Sequence, residues 1–351
     1  MTTMREVLRA ADGRWRVWPG ALALVLATLV VTQLSGQLSR YQLDIATTLF
    51  GYVALAQAWN ILAGYSGQVS LGVSAFVGSG AYAAALVEIH AGLGFLVGLA
   101  VALVAGGVLA ILLAVPLLRL RGDYFSIGTL AGALALQAWV LNWSYAGGST
   151  GLAFPIDGLP DSVQLYQLSA IVAGLVMVVA FVVAYSRFGL RLKAVRDNEA
   201  AATGLGVSAT RHRLAALVIS GSLSGLAGGL VAMQQVSFEP IGVLGINWTI
   251  NALVMTIVGG IGTVIGPLVG AVAVYYLLTK QLESYQTVSV IIEGVLLIAI
   301  VRFAPRGLWP LLLTVLRWLL LGTAGRRTPG GRETPDRRPP ELVVTGSEAA
   351  R

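Results

Sequence analysis

The feature that most constrains the fold of this chain is a series of long apolar segments. Runs of about 17–25 apolar residues match the thickness of a bilayer when they form helices. Ten segments reach or approach this length, near 18–36, 44–63, 67–88, 93–116, 123–143, 164–185, 212–233, 247–258, 264–279 and 287–304. We therefore predict an all-α integral membrane protein with about ten transmembrane helices.

The composition excludes the main soluble classes. Only 11% of the 351 residues are charged and 56% are hydrophobic, whereas soluble domains carry about 25% charged residues. The chain has no cysteine, which excludes disulfides and thiolate metal sites. Its two histidines, His90 and His212, are far apart in sequence, and no phosphate-loop motif occurs. We predict no catalytic residue, no metal and no cofactor on this chain, so any ATP must bind to another subunit.

The basic residues alternate with acidic loops along the chain. Arginines and lysines gather before the first span, after the fourth, in segment 186–213 and after the tenth. Loops 144–163 and 234–246 carry acidic residues and no basic ones. Because basic loops stay in the cytoplasm, this pattern predicts ten spans with both termini inside. The net charge of +7 is thus a topology signal, and no nucleic-acid partner is expected.

The rest of the chain divides around this membrane domain. We predict a cytoplasmic N-terminal segment over 1–17 and a transmembrane permease domain over 18–304. Residues 305–322 contain an apolar run preceded by a proline and interrupted by an arginine, which favours an interfacial helix over an eleventh span. Residues 323–351 are rich in Arg, Pro, Gly and Glu and are predicted to be a disordered cytoplasmic tail.

Small residues recur four apart in two spans and are predicted to pack helices closely. The two rows are Gly221, Gly225 and Gly229, and Gly262, Gly266 and Gly270. The stretches 64–85 and 259–278 look alike, which indicates an internal duplication. Segment 259–262 is either the break of an interrupted helix near a translocation path or a tight hairpin between two helices.

Two polar features could carry function. Glu293 is the one acidic residue well inside a span, where it is either part of a path or a partner in a helix–helix hydrogen bond. Segment 186–213 contains good helix formers over 194–203, followed by Gly204 and Gly206 as stop signals. A short charged helix in a cytoplasmic loop suits docking to a soluble partner, and a solvated connector is the alternative. A match to G-x-S-x-G at 147–151 lies in a loop between membrane helices and is a false positive.

Segment 186–213 resembles the E-A-A-type cytoplasmic loop of ABC importer permeases. The resemblance is closest to the branched-chain amino acid permease family of the LivM type. Further matching stretches, in the family's order, are 64–72, 118–127, 147–152, 258–263 with 266–267, and 303–308. The long Arg/Pro-rich tail is a departure from the family pattern.

This resemblance implies a permease subunit of an ATP-driven importer in the bacterial cytoplasmic membrane. Such a subunit forms half of a translocation path for branched-chain amino acids, surrounded by membrane lipid. It implies a homologous second permease subunit, two ATP-binding subunits that carry ATP and Mg, and an extracytoplasmic substrate-binding protein. The alternatives are a related importer for urea or short amides and a self-sufficient secondary transporter.

The resemblance also implies roles for individual residues. The residues expected to couple the permease to the ATP-binding subunits are Ala194, Arg196, Asp197, Glu199, Ala200, Ala201, Gly204 and Gly206. The residues expected to line the translocation path are Ser66, Gly67, Gln68, Gly259, Gly260, Gly262, Thr263 and Glu293.

Overall fold

The computed structural model describes residues 14–120, 122–155, 159–276, 292, 294–295, 298, 302 and 307–320. The predictions for Glu293, for most of the tenth span and for the tail 323–351 lie outside these residues. The chain separates into a body of residues 1–311 and a C-terminal unit that begins at residue 312.

The described residues are almost entirely helical. The α-helices are α1 Arg14–Gln33, α2 Arg40–Asn60, α3 Val73–Ala91, α4 Phe95–Leu117, α5 Asp123–Leu141, α6 Ser162–Tyr185, α7 Arg187–Asp197, α8 Glu199–Gly204, α9 Ala209–Gln235, α10 Pro240–Leu244, α11 Asn247–Gly259, α12 Gly266–Val274 and α13 Leu308–Leu320. Short 3₁₀ turns cover Leu34–Gln37, Ser144–Ala146 and Gly148–Thr150, and a π-helical turn covers Ile61–Tyr65. Two short strands, β1 Leu152–Ala153 and β2 Ser237–Phe238, pair antiparallel.

Eight helical segments among the described residues are long and apolar enough to cross a membrane. They are Pro19–Gln37, Arg40–Tyr65, Val73–Ala91, Phe95–Leu117, Asp123–Leu141, Ser162–Tyr185, Ala209–Gln235 and Pro240–Gly259. They coincide with the first eight predicted spans, and α12 falls within the ninth. The all-α membrane architecture is therefore confirmed, while the count of ten and the orientation stay predictions.

Helix α9 packs against α2, α3 and α4, and its contacts with α3 and α4 are made through its glycines. A Cβ atom placed on Gly225 would lie 2.6 Å from the Ala102 carbonyl oxygen of α4, and one on Gly80 of α3 would meet the backbone of Gly225. Only glycine lets these backbones approach so closely, and close backbone packing is what holds membrane helices together. The predicted packing role of the row that includes Gly225 is confirmed.

The connecting segments gather at two ends of the helical body. At one end, β1 and β2 join loops 144–163 and 234–246, and the His90 ring stacks on Tyr145 with centroids 4.7 Å apart. At the other end, segments 64–67, 186–213 and 259–262 meet around Arg196. The segments that the charge pattern assigns to opposite sides of the membrane thus lie apart.

A candidate coupling and translocation site

The first break in a helix follows α2. The chain leaves the π-helical turn at Gly67, whose φ of +74° is in the left-handed region that glycine adopts without strain. The Gly67 N–H donates to the Ala63 carbonyl at 3.2 Å and the Gln68 N–H to the Leu62 carbonyl at 3.4 Å, a common closure of a helix end. Helical structure resumes at Val73, so the predicted span 67–88 begins with non-helical backbone.

Side chains satisfy the backbone of this non-helical stretch. The Trp59 indole N–H donates to the Ser70 carbonyl at 2.9 Å, and the Ser126 hydroxyl donates to the Val69 carbonyl at 2.6 Å. The Leu71 N–H donates to the Thr129 hydroxyl at 2.9 Å. Irregular backbone at membrane depth requires partners of this kind, because lipid offers none. Sequence reasoning did not assign a site role to Trp59 or Thr129. Trp59 lies close to the glycine-rich turn in sequence, whereas Thr129 lies within α5 and its contact with this turn is visible only in the fold.

The second break follows α11. Gly260 and Gly262 have φ values of +125° and +77°, which reverse the chain before α12. The Thr263 hydroxyl donates to the Gly260 carbonyl at 2.7 Å and accepts from the Gly266 N–H at 3.0 Å. A Cβ on Gly259 would meet the Gly266 backbone. The sequence predicted either an interrupted helix or a tight hairpin for this segment, and these contacts favour the tight hairpin.

The two breaks share one feature of their backbone geometry. The sequence G-Y-S-G-Q-V over 64–69 aligns with G-G-I-G-T-V over 259–264. In both, the second of the aligned glycines, Gly67 or Gly262, has a positive φ, +74° and +77° respectively. Each break also precedes a helix rich in small residues. This agreement supports the internal duplication inferred from the sequence.

A pair of buried amides on α2 binds the second of the two breaks, which we call the glycine turns 64–67 and 259–263. The Asn60 side chain accepts from the Gly262 N–H at 2.8 Å and donates to the Thr263 carbonyl at 2.7 Å. The Gln57 side chain donates to the Val264 carbonyl at 2.7 Å. Both amides are at most 1% exposed. An amide buried in an apolar span is costly unless it is hydrogen-bonded, so a neutral amide within a span is a sequence signal for such a site.

The predicted helix over 194–203 is two helices, α7 and α8. Asn198 leaves the helical region with a φ of −156°, and its side-chain oxygen accepts from the Ala201 N–H at 3.0 Å. An asparagine that caps a new helix in this way interrupts the preceding one. Gly206, with a φ of +83°, follows the end of α8 as the sequence predicted.

Helices α7 and α8 lie within segment 186–213, which we call the coupling segment after its predicted role, and they have a buried face and an exposed face. The buried face consists of Leu192, Val195 and Ala202. The exposed residues include the predicted coupling residues Ala194, Asp197, Ala200, Ala201, Gly204 and Gly206. The neighbouring Leu205 is 86% exposed, which gives this surface an apolar element.

The charged residues of the coupling segment also make internal contacts. Glu199 is paired with Arg213 at 3.0 Å. The Lys193 ammonium donates to the Ala184 carbonyl at 3.1 Å and lies 5.4 Å from the centre of the Tyr65 ring. Burial, reinforced by the positive charge of Arg196, holds the pKa of Lys193 below its ordinary value.

Arg196 points towards the first glycine turn. Its Nη1 donates to the Gly64 carbonyl at 2.6 Å, and its Nε donates to Asp197 at 3.0 Å. The sequence predicted an outward contact with an ATP-binding subunit, and this inward contact was not foreseen. It links residues 132 positions apart in the chain.

The predicted path residues cluster at this end of the body. Ser66 and Gln68 are buried, and the Ser66 hydroxyl donates to the Gln68 side chain at 3.3 Å. Gly259 and Gly260 are buried, Gly262 and Thr263 are partly buried, and Gly67 is exposed. Glu293 lies outside the described residues. The role of all eight in a path stays a prediction.

Comparisons with known proteins agree with this architecture. Residues 41–301 match the family model described as the permease component of branched-chain amino acid transport systems. The chain is 31% identical over 306 residues to the high-affinity branched-chain amino acid permease protein LivM of Salmonella typhimurium, covering 78% of this chain and 71% of that protein. It is 29% identical to LivM of Escherichia coli, covering 83% of this chain and 75% of that protein.

A more distant relative is the probable permease protein LivH of Methanocaldococcus jannaschii, which is 27% identical over 46% of this chain and 54% of its own length. No significant match to a solved structure was found. The family model spans most of the chain, and it includes both glycine turns and the whole coupling segment. The chain therefore belongs to the family of permease components of branched-chain amino acid transport systems.

Proposed function

We propose that this chain is one of two permease subunits in an ATP-driven importer of branched-chain amino acids. The second permease subunit is a homologue of this chain, and together the two enclose the translocation path. Two ATP-binding subunits dock on the cytoplasmic side, and an extracytoplasmic binding protein delivers the substrate. The complex resides in the bacterial cytoplasmic membrane.

The observation that carries this proposal is the two-sided coupling segment. Its exposed face, with Ala200, Ala201 and Leu205, offers a surface for a soluble subunit. Its inner side contacts the first glycine turn through Arg196. A movement imposed on the exposed face from outside would therefore reach the non-helical backbone inside the body. A transporter driven by a separate ATPase requires such a connection.

The glycine turns are the proposed inner part of the path. Their non-helical backbone presents carbonyl and N–H groups close to small side chains such as Ser66 and Thr263. Small polar side chains of this kind suit the ammonium and carboxylate of a zwitterionic amino acid. Irregular backbone inside a membrane protein is tolerated where it is buried in protein or lines a water-filled cavity.

Reconstitution in proteoliposomes tests the proposal. The full complex should take up labelled leucine only when ATP is present in the compartment that contains the ATP-binding subunits. Isoleucine and valine should compete with leucine, while urea and acetamide should not. Uptake that persists without the ATP-binding subunits would refute the ATP-driven mechanism. Uptake of urea or acetamide in place of leucine would reassign the substrate.

A further inference from the structure

The contact between Arg196 and Gly64 occurs at a place where the backbone needs a partner. The last carbonyls of a helix have no N–H group within the helix to accept from. Gly64 lies in the final π-helical turn after α2. The Arg196 guanidinium supplies a charge-assisted bond of 2.6 Å to this carbonyl. A cation at this end also complements the partial negative charge of a helix C-terminus.

The same side chain reaches both glycine turns. A Cβ on Gly67 would lie only 2.5 Å from the Arg196 Cγ, so the arginine stem packs directly on this glycine. A Cβ on Gly262 would lie 3.6 Å from the Arg196 Nη1. The turns themselves are in direct contact, since a Cβ on Gly64 would lie 2.7 Å from the Gly262 nitrogen, and Asn60 at the end of α2 binds the second turn. One side chain of the coupling segment therefore contacts a unit made of both turns.

We propose that Arg196 is a positioning residue that ties the coupling segment to the two glycine turns, so that all three move as one unit during transport. This inference rests on the proposed function, because it requires a partner that moves the coupling segment. It assigns Arg196 to transmission inside the permease and leaves docking to the exposed residues among those predicted for coupling, such as Asp197, Ala200 and Ala201. The link stays closed through the transport cycle.

The first test compares Arg196→Ala with Arg191→Ala in the reconstituted complex. Both changes remove one positive charge from an exposed position of α7, but only Arg196 contacts a glycine turn. Arg196→Ala should retain its ATP-binding subunits and hydrolyse ATP, while leucine uptake per ATP hydrolysed falls about tenfold, as expected for the loss of a charge-assisted hydrogen bond. Arg191→Ala should match the wild type, and Arg196→Lys should recover part of the loss.

Two outcomes of this comparison would overturn the inference. If Arg196→Ala loses its ATP-binding subunits during purification, Arg196 acts in docking. If its uptake per ATP equals that of Arg191→Ala, the contact with Gly64 transmits nothing. A wild-type complex without ATP-dependent uptake would instead refute the proposed function, and the inference with it.

The second test replaces the link by a covalent bond. The chain contains no cysteine, so an introduced pair has no competitor within it. The Cβ of Arg196 lies 3.3 Å from a Cβ placed on Gly67, close to the spacing of about 3.5–4.5 Å found in disulfides. The double variant Gly67→Cys with Arg196→Cys should be poorly coupled when reduced and should recover leucine uptake per ATP when oxidised.

The single variants Gly67→Cys and Arg196→Cys serve as controls, and the oxidant should not change their uptake. Recovery on oxidation in the double variant alone would support a link that stays closed. If oxidation instead stops leucine uptake while ATP hydrolysis continues, the link must open during transport and the inference is wrong.

Discussion

Replacing Asn60 by leucine should weaken the connection between the second glycine turn and the end of α2, from which the first glycine turn follows. The wild-type side chain accepts from the Gly262 N–H at 2.8 Å and donates to the Thr263 carbonyl at 2.7 Å. Leucine keeps the branch point at Cγ and is larger, so the change leaves no cavity. It removes both of these hydrogen bonds and the longer one to the Gln57 side chain at 3.3 Å. It also leaves a backbone donor and a backbone acceptor without these partners.

The expected cost follows from these two bonds. Interhelical hydrogen bonds in membrane proteins contribute about 0.6 kcal/mol on average and at most about 1.7 kcal/mol. A buried polar group left unsatisfied costs about 1–3 kcal/mol. Because Asn60 is fully buried and both of its backbone partners lose their bond, each lost hydrogen bond should cost close to the maximum found in membrane proteins. We expect the free energy of unfolding to fall by about 2–3 kcal/mol.

Equilibrium unfolding in mixed micelles measures this loss. The matched control is Asn142→Leu, since Asn142 is exposed and its side chain donates only to the Ala138 carbonyl one turn away in sequence, at 2.7 Å. The control should change the free energy of unfolding by less than about 0.5 kcal/mol. If the two variants unfold with the same free energy, the amide of Asn60 does not hold the second glycine turn to the end of α2, and our account of this site is wrong.

Three further predictions concern other parts of the molecule. Glu199→Lys should lower leucine uptake per ATP hydrolysed. Adding Arg213→Glu should restore the ion pair and thermal stability but not the uptake per ATP. Normal uptake per ATP in the double variant would show that Glu199 acts only through its ion pair with Arg213. Gly225→Ala should lower the free energy of unfolding by about 1–3 kcal/mol because its Cβ meets backbone at 2.6 Å, whereas Gly36→Ala, with nothing within 4 Å, should not; equal thermal stabilities would contradict the packing argument. Because burial lowers the pKa of Lys193, the unfolded chain binds this proton more tightly, so stability should rise with pH between the lowered pKa and the ordinary value of 10.5. Lys193→Met should remove that rise in a series of melting curves, and an unchanged pH profile would show that the ammonium is well solvated.

The hydrophobic pattern alone was sufficient to predict the all-α membrane architecture. Length and apolarity decide whether a segment can span lipid, and both are local properties of the sequence. Each of the eight described spans coincides with a segment found in this way. Glycine spacing likewise predicted close packing at Gly225, since only a missing side chain permits such contact. The motifs of the coupling loop and the glycine turns were enough to indicate the permease family.

The tertiary structure decided how these parts are connected. Arg196 and Gly64 are 132 residues apart, and Asn60 and Gly262 are 202 apart, so neither bond leaves a periodic signal. The resemblance to ABC importer permeases implied an outward contact of Arg196 with an ATP-binding subunit. In the fold, the end of α2 presents a carbonyl without a helical partner, and the guanidinium reaches it. Where the Arg196 side chain points depends on which unsatisfied backbone group the fold brings within its reach. The position of that group is set by the packing of the helices and not by the local sequence.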